Sequence, residues 1–228
     1  MIEFLRNLPY KTYSGLCFCS LFASYWLVPR VTWLARGLGI FALTQSEPER
    51  ARPSAGGLAV GLPFITGISL LLLLRNQVTE NIYMVPLQMR GLFFGSCLIL
   101  TVGFLQDLLH FNRYLRVALQ TAVAALAHHY GFRLEMLPAS ESIPVPLSSL
   151  FFTIVWIVGL INLFDLFNRR TNHFTGFVLV LTFSLLGVAY LLDQYRTIVV
   201  CCLLFGSLLG LLSHDASLRP NLGSTGTY

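Results

Sequence analysis

Charged residues are scarce in this chain of 228 residues, where they make up 11% of the total and Asp and Glu together number ten. A soluble globular domain usually carries about 25% charged residues, so this composition excludes an ordinary soluble domain. Apolar residues account for 55% of the chain, and the mean hydropathy is +0.70. These values predict a protein that folds in a lipid bilayer.

The charge and the cysteines exclude further classes. The net charge of +5 is small, and in a membrane protein it is typical of basic loop ends rather than of nucleic-acid binding. All five cysteines lie inside apolar runs, without the spacing of a zinc site or a disulfide framework, and are expected to pack as small apolar side chains. Residues 1–11 are polar and no small-residue cleavage site follows the first apolar run, so no cleavable signal peptide is expected.

Long apolar runs are what the sequence has in abundance. A spanning helix needs about 20 mostly apolar residues, and only helices and closed barrels cross lipid. Because the runs do not alternate as barrel strands do, they predict an all-α fold, a polytopic transmembrane helix bundle of about seven spans in a single domain, residues 1–228. The third and fourth spans are short and are expected to extend into their flanks. Read from charge to charge, the spans are Thr12–Ala35, Gly56–Leu74, Gly91–Gln106, Val117–Phe132, Ser142–Phe164, Thr171–Leu192 and Thr197–Ser213.

The connections after spans one, three, five and seven share one face if all seven spans cross. They hold eight arginines against six basic residues on the other face, so the positive-inside rule places them in the cytoplasm. Carboxylates such as Asp107 and Asp165 in these loops can hold magnesium, and arginines such as Arg116 can pair with phosphate oxygens. Together they predict a site for a phosphorylated ligand.

Each feature also has a plainer explanation, and from the residues alone these alternatives stay open. Asp165 and Arg169 are four residues apart, which suits an ordinary ion pair at a helix end. Asp107 with His110 would polarise a helix end at the interface. Polar groups inside a bundle would also suit a small transporter. A transporter does not explain, however, why acids and arginines gather in four loops on one face.

Five stretches, in order from about residue 25 to the last residue, resemble the motifs of the polyprenyl-phosphate N-acetylhexosamine-1-phosphate transferases, the family that includes translocase I. The third is similar to the family's paired-aspartate loop with a following basic residue and a glutamine four later, here Arg116 and Gln120. The fourth is similar to the family's N-F-M-D-G-x-D motif. The stretches are VPRVTWLARGLGI (28–40), ARPSAGGLAV (51–60), GFLQDLLHFNRYLRVALQ (103–120), WIVGLINLFDLFN (156–168) and PNLGS (220–224).

The resemblance implies a membrane enzyme that transfers a sugar 1-phosphate from a UDP-sugar to undecaprenyl phosphate, with Mg²⁺ or Mn²⁺ as cofactor. It assigns Asp107 and Asp165 as catalytic residues and metal ligands. It implies the bacterial inner membrane with the motif loops in the cytoplasm, expects no nucleic-acid partner, and leaves a homodimer open. The substrate-binding residues that it implies are Asn162, Arg116, Gln106, Asn168, Asn221, Gly223 and Ser224.

Three positions depart from the family pattern, because Gln106, Asn168 and Asn221 stand where the family has aspartates. An amide oxygen can ligate Mg²⁺, but it brings no negative charge and cannot act as a base. The chain also has fewer spans than the ten or eleven typical of the family, so we expect the N-terminal portion of a longer fold or a reduced relative. The alternative to an active transferase is a catalytically silent relative that binds prenyl phosphate or UDP-sugar, or that supports a membrane partner.

Overall fold

The structure, a computed structural model, describes residues 2–39, 41–42, 52–53, 56–73, 86–109, 112–134, 145–170 and 174–214. Within these ranges it is helical apart from two-residue strands, β1 (Phe41–Ala42) and β2 (Arg52–Pro53), which pair antiparallel. The helices are α1 (Ile2–Gly37), α2 (Gly56–Leu73), α3 (Pro86–Leu109), α4 (Arg113–His129), α5 (Val145–Arg170), α6 (Phe174–Leu191) and α7 (Tyr195–Leu212).

The predicted helical membrane bundle is confirmed. Four helices are long and apolar enough to cross a bilayer, and α2 contributes a shorter apolar helix, Gly56–Leu71. Large apolar side chains face outward, for example Trp33 on α1 and Val180 on α6, as expected where lipid surrounds the protein. The protein is therefore a multi-pass membrane protein. The four long spans are Arg90–Leu109, Ser148–Asn168, Phe174–Leu191 and Tyr195–Leu212.

Two of the predicted loops prove to be largely helical. Asp107 lies inside α3, and α4 begins at Arg113, so only residues 110–112 separate these two helices. Asp165 lies inside α5, which continues to Arg170. The prediction was wrong because it ended each span at a charge, whereas a helix satisfies its own backbone hydrogen bonds and continues through the interface into water. The predicted acids therefore sit on helices.

Helices α1 and α7 pack along their length and run in the same direction. Ser20 Oγ donates to the carbonyl oxygen of Leu203 at 2.6 Å, and one turn later Ser24 Oγ donates to that of Ser207 at 2.7 Å. Because both positions advance together, the first and the seventh helices are parallel, as seven successive crossings require.

Two glycines on α7 allow this close approach. A Cβ on Gly206 would collide with the carbonyl oxygen of Cys17, and a Cβ on Gly210 would lie 2.5 Å from that of Leu21. Small residues spaced four apart are what lets helix backbones meet in a membrane. The prediction of the spans did not use this spacing, although the stretch GSLLG (206–210) contains it.

Gly206→Ala is therefore expected to lower the free energy of unfolding by about 1–3 kcal/mol, because the obstructing atom belongs to backbone and cannot rotate away. Thermal unfolding of the purified protein in detergent measures this loss. Gly187→Ala on α6 is the matched control, because a Cβ there meets nothing within 4 Å. The control should unfold at or slightly above the wild-type temperature, and equal losses in both variants would contradict the close-packing argument.

At one end of the bundle, residues from three of the motif stretches, 28–40, 51–60 and 156–168, lie together. Val28 on α1, Ala59 on α2, Phe174 on α6 and Leu211 on α7 form a buried apolar cluster, and Phe164 on α5 packs against it. The later part of α1 and the ends of α5 and α7 thus lie together, as the parity of the spans predicts. We call this end of the bundle the site end.

Candidate functional site

A buried ion pair joins α4 and α5 at the site end. Arg116, in the first turns of α4, donates from Nη1 to Asp165 Oδ2 at 2.8 Å. Asp165 is only 4% exposed. Burial of a lone carboxylate is strongly unfavourable, so pairing with the guanidinium stabilises Asp165 inside this apolar bundle.

Asn162 holds the arginine from a second side. It lies one helical turn before Asp165, so both side chains project from the same face of α5, and its Oδ1 accepts from Arg116 Nη2 at 2.9 Å. Its Nδ2 donates to Gln120 Oε1 and to the carbonyl oxygen of Val158, each at 2.8 Å. Every polar atom of the Asn162 side chain is thus engaged, which fixes the orientation of the amide.

The four residues Arg116, Gln120, Asn162 and Asp165 therefore form a connected polar cluster, referred to below as the α4–α5 cluster. Pairs 116 with 165 and 120 with 162 show that α4 and α5 run antiparallel, with arginine and glutamine one turn apart on the same face of α4. A network of this kind, in surroundings of low polarity, orders its members more strongly than isolated hydrogen bonds do.

Two donors of the cluster are buried without a hydrogen-bond partner in the described part of the chain. They are Arg116 Nε and Gln120 Nε2, and the glutamine is only 2% exposed. Buried N–H groups are nearly always paired. An unpaired N–H group in this polar cluster therefore needs a physical explanation. These two N–H groups can serve an acceptor oxygen of a substrate.

The remaining predicted residues lie on α3 and α5 or outside the described ranges. Gln106 on α3 and Asn168 on α5 are buried, at 7% and 4% exposure, while Asp107 is half-buried near the end of α3. All three make polar interactions. Asn221, Gly223 and Ser224 lie outside the described residues, as do His110 and the side chains of Arg113 and Arg169.

A comparison with known protein families identifies the family of this chain. A model of glycosyl transferase family 4 matches residues 89–226, more than half of the chain, including most of α3 and all of α4 to α7. The chain belongs to glycosyl transferase family 4. The resemblance predicted from the motifs is thereby confirmed, although the stretches 28–40 and 51–60 lie before the matched residues. No curated protein matches the chain.

Membership of glycosyl transferase family 4 indicates the general reaction, which is transfer of a sugar phosphate to a polyprenyl phosphate. A sugar nucleotide and a polyprenyl phosphate are the corresponding partners, and both are consistent with a site at the end of a membrane bundle. The α4–α5 cluster lies entirely within the matched residues. The α4–α5 cluster is therefore the candidate site of the reaction.

The acidic residues of the site suit a divalent ion that is shared with a substrate. Within the described ranges, no group of three or more His, Cys, Asp or Glu residues is placed to hold a metal by itself. Mg²⁺, however, is usually bound by one or two carboxylates together with substrate phosphates and water. Asp165 supplies one carboxylate in the α4–α5 cluster, and Asp107, near the end of α3, is a second carboxylate at the site end, so the donor types fit a magnesium ion of that kind.

The motif resemblance named Gln120 without giving it a role, and the residues alone did not predict that Asp165 pairs with Arg116. The described ion pair of Asp165 reaches across to α4, while the side chain of Arg169, the alternative partner on the same helix, lies outside the described residues. The spacing of Arg116 and Gln120, four residues apart on an otherwise apolar helix, was the available signal. It indicates a shared polar face, and such a face inside a membrane bundle is seldom without function.

Proposed function

We propose that the protein transfers a sugar 1-phosphate from a UDP-sugar to undecaprenyl phosphate and releases UMP. The first sugar 1-phosphate to test is N-acetylhexosamine 1-phosphate. The observation that carries the proposal is the buried Arg116–Asp165 pair at the end of a bundle that belongs to glycosyl transferase family 4. Charged groups inside a membrane protein are unfavourable and are kept mainly for function.

The bond changes follow from the substrates. An oxygen of the undecaprenyl phosphate attacks the β-phosphorus of the UDP-sugar and forms a new phosphorus–oxygen bond. The bond from the β-phosphorus to the bridging oxygen breaks, and UMP leaves with that oxygen. The lipid then carries a diphosphate linked to the sugar. Little covalent chemistry is required of the protein, so positioning and charge stabilisation account for most of the catalysis.

The residues of the α4–α5 cluster have distinct roles in this proposal. Arg116 pairs with phosphate oxygens, for which the guanidinium fork is well suited. Asn162 orients the arginine, and Gln120 orients Asn162 while its Nε2 donates to a substrate oxygen. Asp165 and Asp107 hold Mg²⁺ or Mn²⁺, which when bound offsets the charge of the diphosphate. Gln106, Asn168 and the tail residues Asn221, Gly223 and Ser224 complete the substrate site.

The proposed location is the bacterial inner membrane, with the site end at the cytoplasmic face. The larger number of arginines in the connections of the odd-numbered helices supports this orientation. The lipid tail of the acceptor would hold its phosphate at the same membrane surface, where the soluble UDP-sugar also arrives. A homodimer is compatible with this placement.

A second candidate function is a catalytically silent relative that binds prenyl phosphate or UDP-sugar. The observation that favours it is the presence of buried amides, Gln106 and Asn168, where the family has aspartates. Fewer anionic groups weaken the attraction for a divalent ion. A silent relative would still bind its ligand but would not turn over.

Purified protein in detergent is expected to release UMP when undecaprenyl phosphate, Mg²⁺ and a suitable UDP-sugar are all present. A panel of UDP-hexosamines and UDP-hexoses, assayed for UMP and for lipid-linked sugar, identifies the donor. Omission of the lipid acceptor or addition of a chelator should abolish the signal. If folded protein binds a UDP-sugar but releases no UMP with any member of the panel, the silent relative is the correct function.

A further inference from the structure

We propose that Arg116 acts as an internal counter-cation that prevents Asp165 from binding a free divalent ion. Binding of a nucleotide diphosphate to the guanidinium would displace it from the carboxylate. Metal and nucleotide would then bind in a coupled manner, with Arg116 as the coupling residue. This inference deepens the proposed function and rests on it, since it concerns the same site.

The carboxylate of Asp165 is already paired with a positive charge. Arg116 Nη1 lies 2.8 Å from Asp165 Oδ2, and Asn162 holds the other terminal nitrogen at 2.9 Å. Because Asn162 is itself fixed by Gln120 and by the backbone of α5, the guanidinium is clamped in place. A divalent ion approaching Asp165 would meet a neutral pair and a fixed positive charge beside its ligand, and like charges repel strongly in such surroundings.

Negative charge is scarce among the described residues at this end of the bundle. Gln106 and Asn168 are buried amides, so they add no negative charge that would outweigh the arginine. The described part of the chain holds no group of three metal-binding side chains. Within the α4–α5 cluster the negative charge is that of Asp165, and Arg116 offsets it.

A diphosphate would give Arg116 a better set of hydrogen-bond partners. Arg116 Nε is buried and has no partner in the described part of the chain. A phosphate can accept from Nε and from a terminal nitrogen together, in the forked geometry that guanidinium groups favour. The exchange satisfies the orphaned N–H group and leaves the carboxylate of Asp165 to the metal. By thermodynamic linkage, bound metal must strengthen nucleotide binding by the same factor.

The test is direct titration of Mn²⁺ followed by electron paramagnetic resonance, without substrate turnover, in the presence and absence of UDP. Without UDP, Asp165→Asn should change the Mn²⁺ affinity by less than about twofold, since the carboxylate is occupied; with UDP it should weaken Mn²⁺ binding by about tenfold or more. Asp165→Asn is nearly isosteric, so this comparison does not depend on a variant that unfolds.

Arg116→Gln supplies the complementary result. Removal of the positive charge should strengthen Mn²⁺ binding without UDP by about tenfold or more, and Arg116→Lys, which keeps the charge, should remain close to wild type. Arg133→Gln is the matched control, because Arg133 is exposed and lies just beyond the opposite end of α4. It makes the same change in net charge and should leave Mn²⁺ binding unaltered.

The outcomes separate this inference from the proposed function. If UMP is released but Asp165→Asn weakens Mn²⁺ binding equally with and without UDP, coupling through Arg116 is refuted while the transferase survives. If Arg116→Gln binds Mn²⁺ without UDP as tightly as the wild type does, coupling through Arg116 is also refuted. If no UMP is released and no Mn²⁺ binds even with UDP, the metal-dependent transferase fails together with the inference.

Discussion

Asp165→Asn is expected to reduce UMP release by about a thousandfold or more and to leave the protein folded. Asparagine has nearly the same shape, and its Oδ1 can still accept from Arg116, so the packing of α4 against α5 persists. The negative charge is lost, however, and with it the ability to hold a divalent ion firmly. A metal ion contributes several kcal/mol of transition-state stabilisation, and about 4 kcal/mol corresponds to a thousandfold change in rate.

The measurement is the initial rate of UMP release with saturating substrates, together with the unfolding temperature of the same sample. Asp193→Asn is the matched control, because Asp193 is exposed in the turn between α6 and α7. Its backbone has φ of +51°, which asparagine tolerates as well as aspartate does. The control should retain full activity. Undiminished turnover in Asp165→Asn would remove Asp165 from the catalytic and metal-binding roles.

The architecture was largely predictable from the sequence, because lipid leaves the backbone few choices. Each long apolar run had to become a helix, and seven helices are present in the described ranges. The helix ends were less predictable. Residues 107 and 165 were assigned to loops because a charge was taken as the end of a span, yet nothing in the physics of a helix stops it at the interface.

The site was predictable only in part, because its contacts depend on how two helices face one another. The motif resemblance indicated Arg116, Asn162 and Asp165, and the structure brings these three together. The resemblance also named Gln120, but its hydrogen bond to Asn162 depends on the antiparallel register of α4 and α5, which no local pattern encodes. The three-residue connection 110–112 limits how far α4 can lie from α3, but it does not fix the rotation of α4 about its own axis.

The parallel packing of α1 and α7 shows the same limit. The two helices are separated by more than 150 residues of sequence, and their contact depends on serines donating to backbone carbonyls of the partner helix. The small-residue spacing on α7 was visible in the sequence and predicts a close helix neighbour. It does not say which of six other helices that neighbour is.

Arg116→Met is expected to lower the free energy of unfolding by about 3 kcal/mol, because it removes the described cation partner of the buried Asp165 carboxylate. The arginine side chain is 21% exposed and that of Asp165 only 5%, so the aspartate is the partner that water cannot rescue. Unfolding in detergent measures the loss, and the same Arg133→Gln variant serves as a control, with stability expected within about 0.5 kcal/mol of wild type.

The double variant Arg116→Met/Asp165→Leu separates stability from chemistry. Replacing both members of a buried ion pair with apolar residues is often neutral or stabilising, so most of the lost stability should return. About 1 kcal/mol should remain missing, because Asn162 Oδ1 loses its donor. Activity should not return, since neither the phosphate-pairing cation nor the carboxylate is present. A double variant as unstable as Arg116→Met would mean that the arginine acts through other contacts, and a double variant with activity would exclude the pair from catalysis.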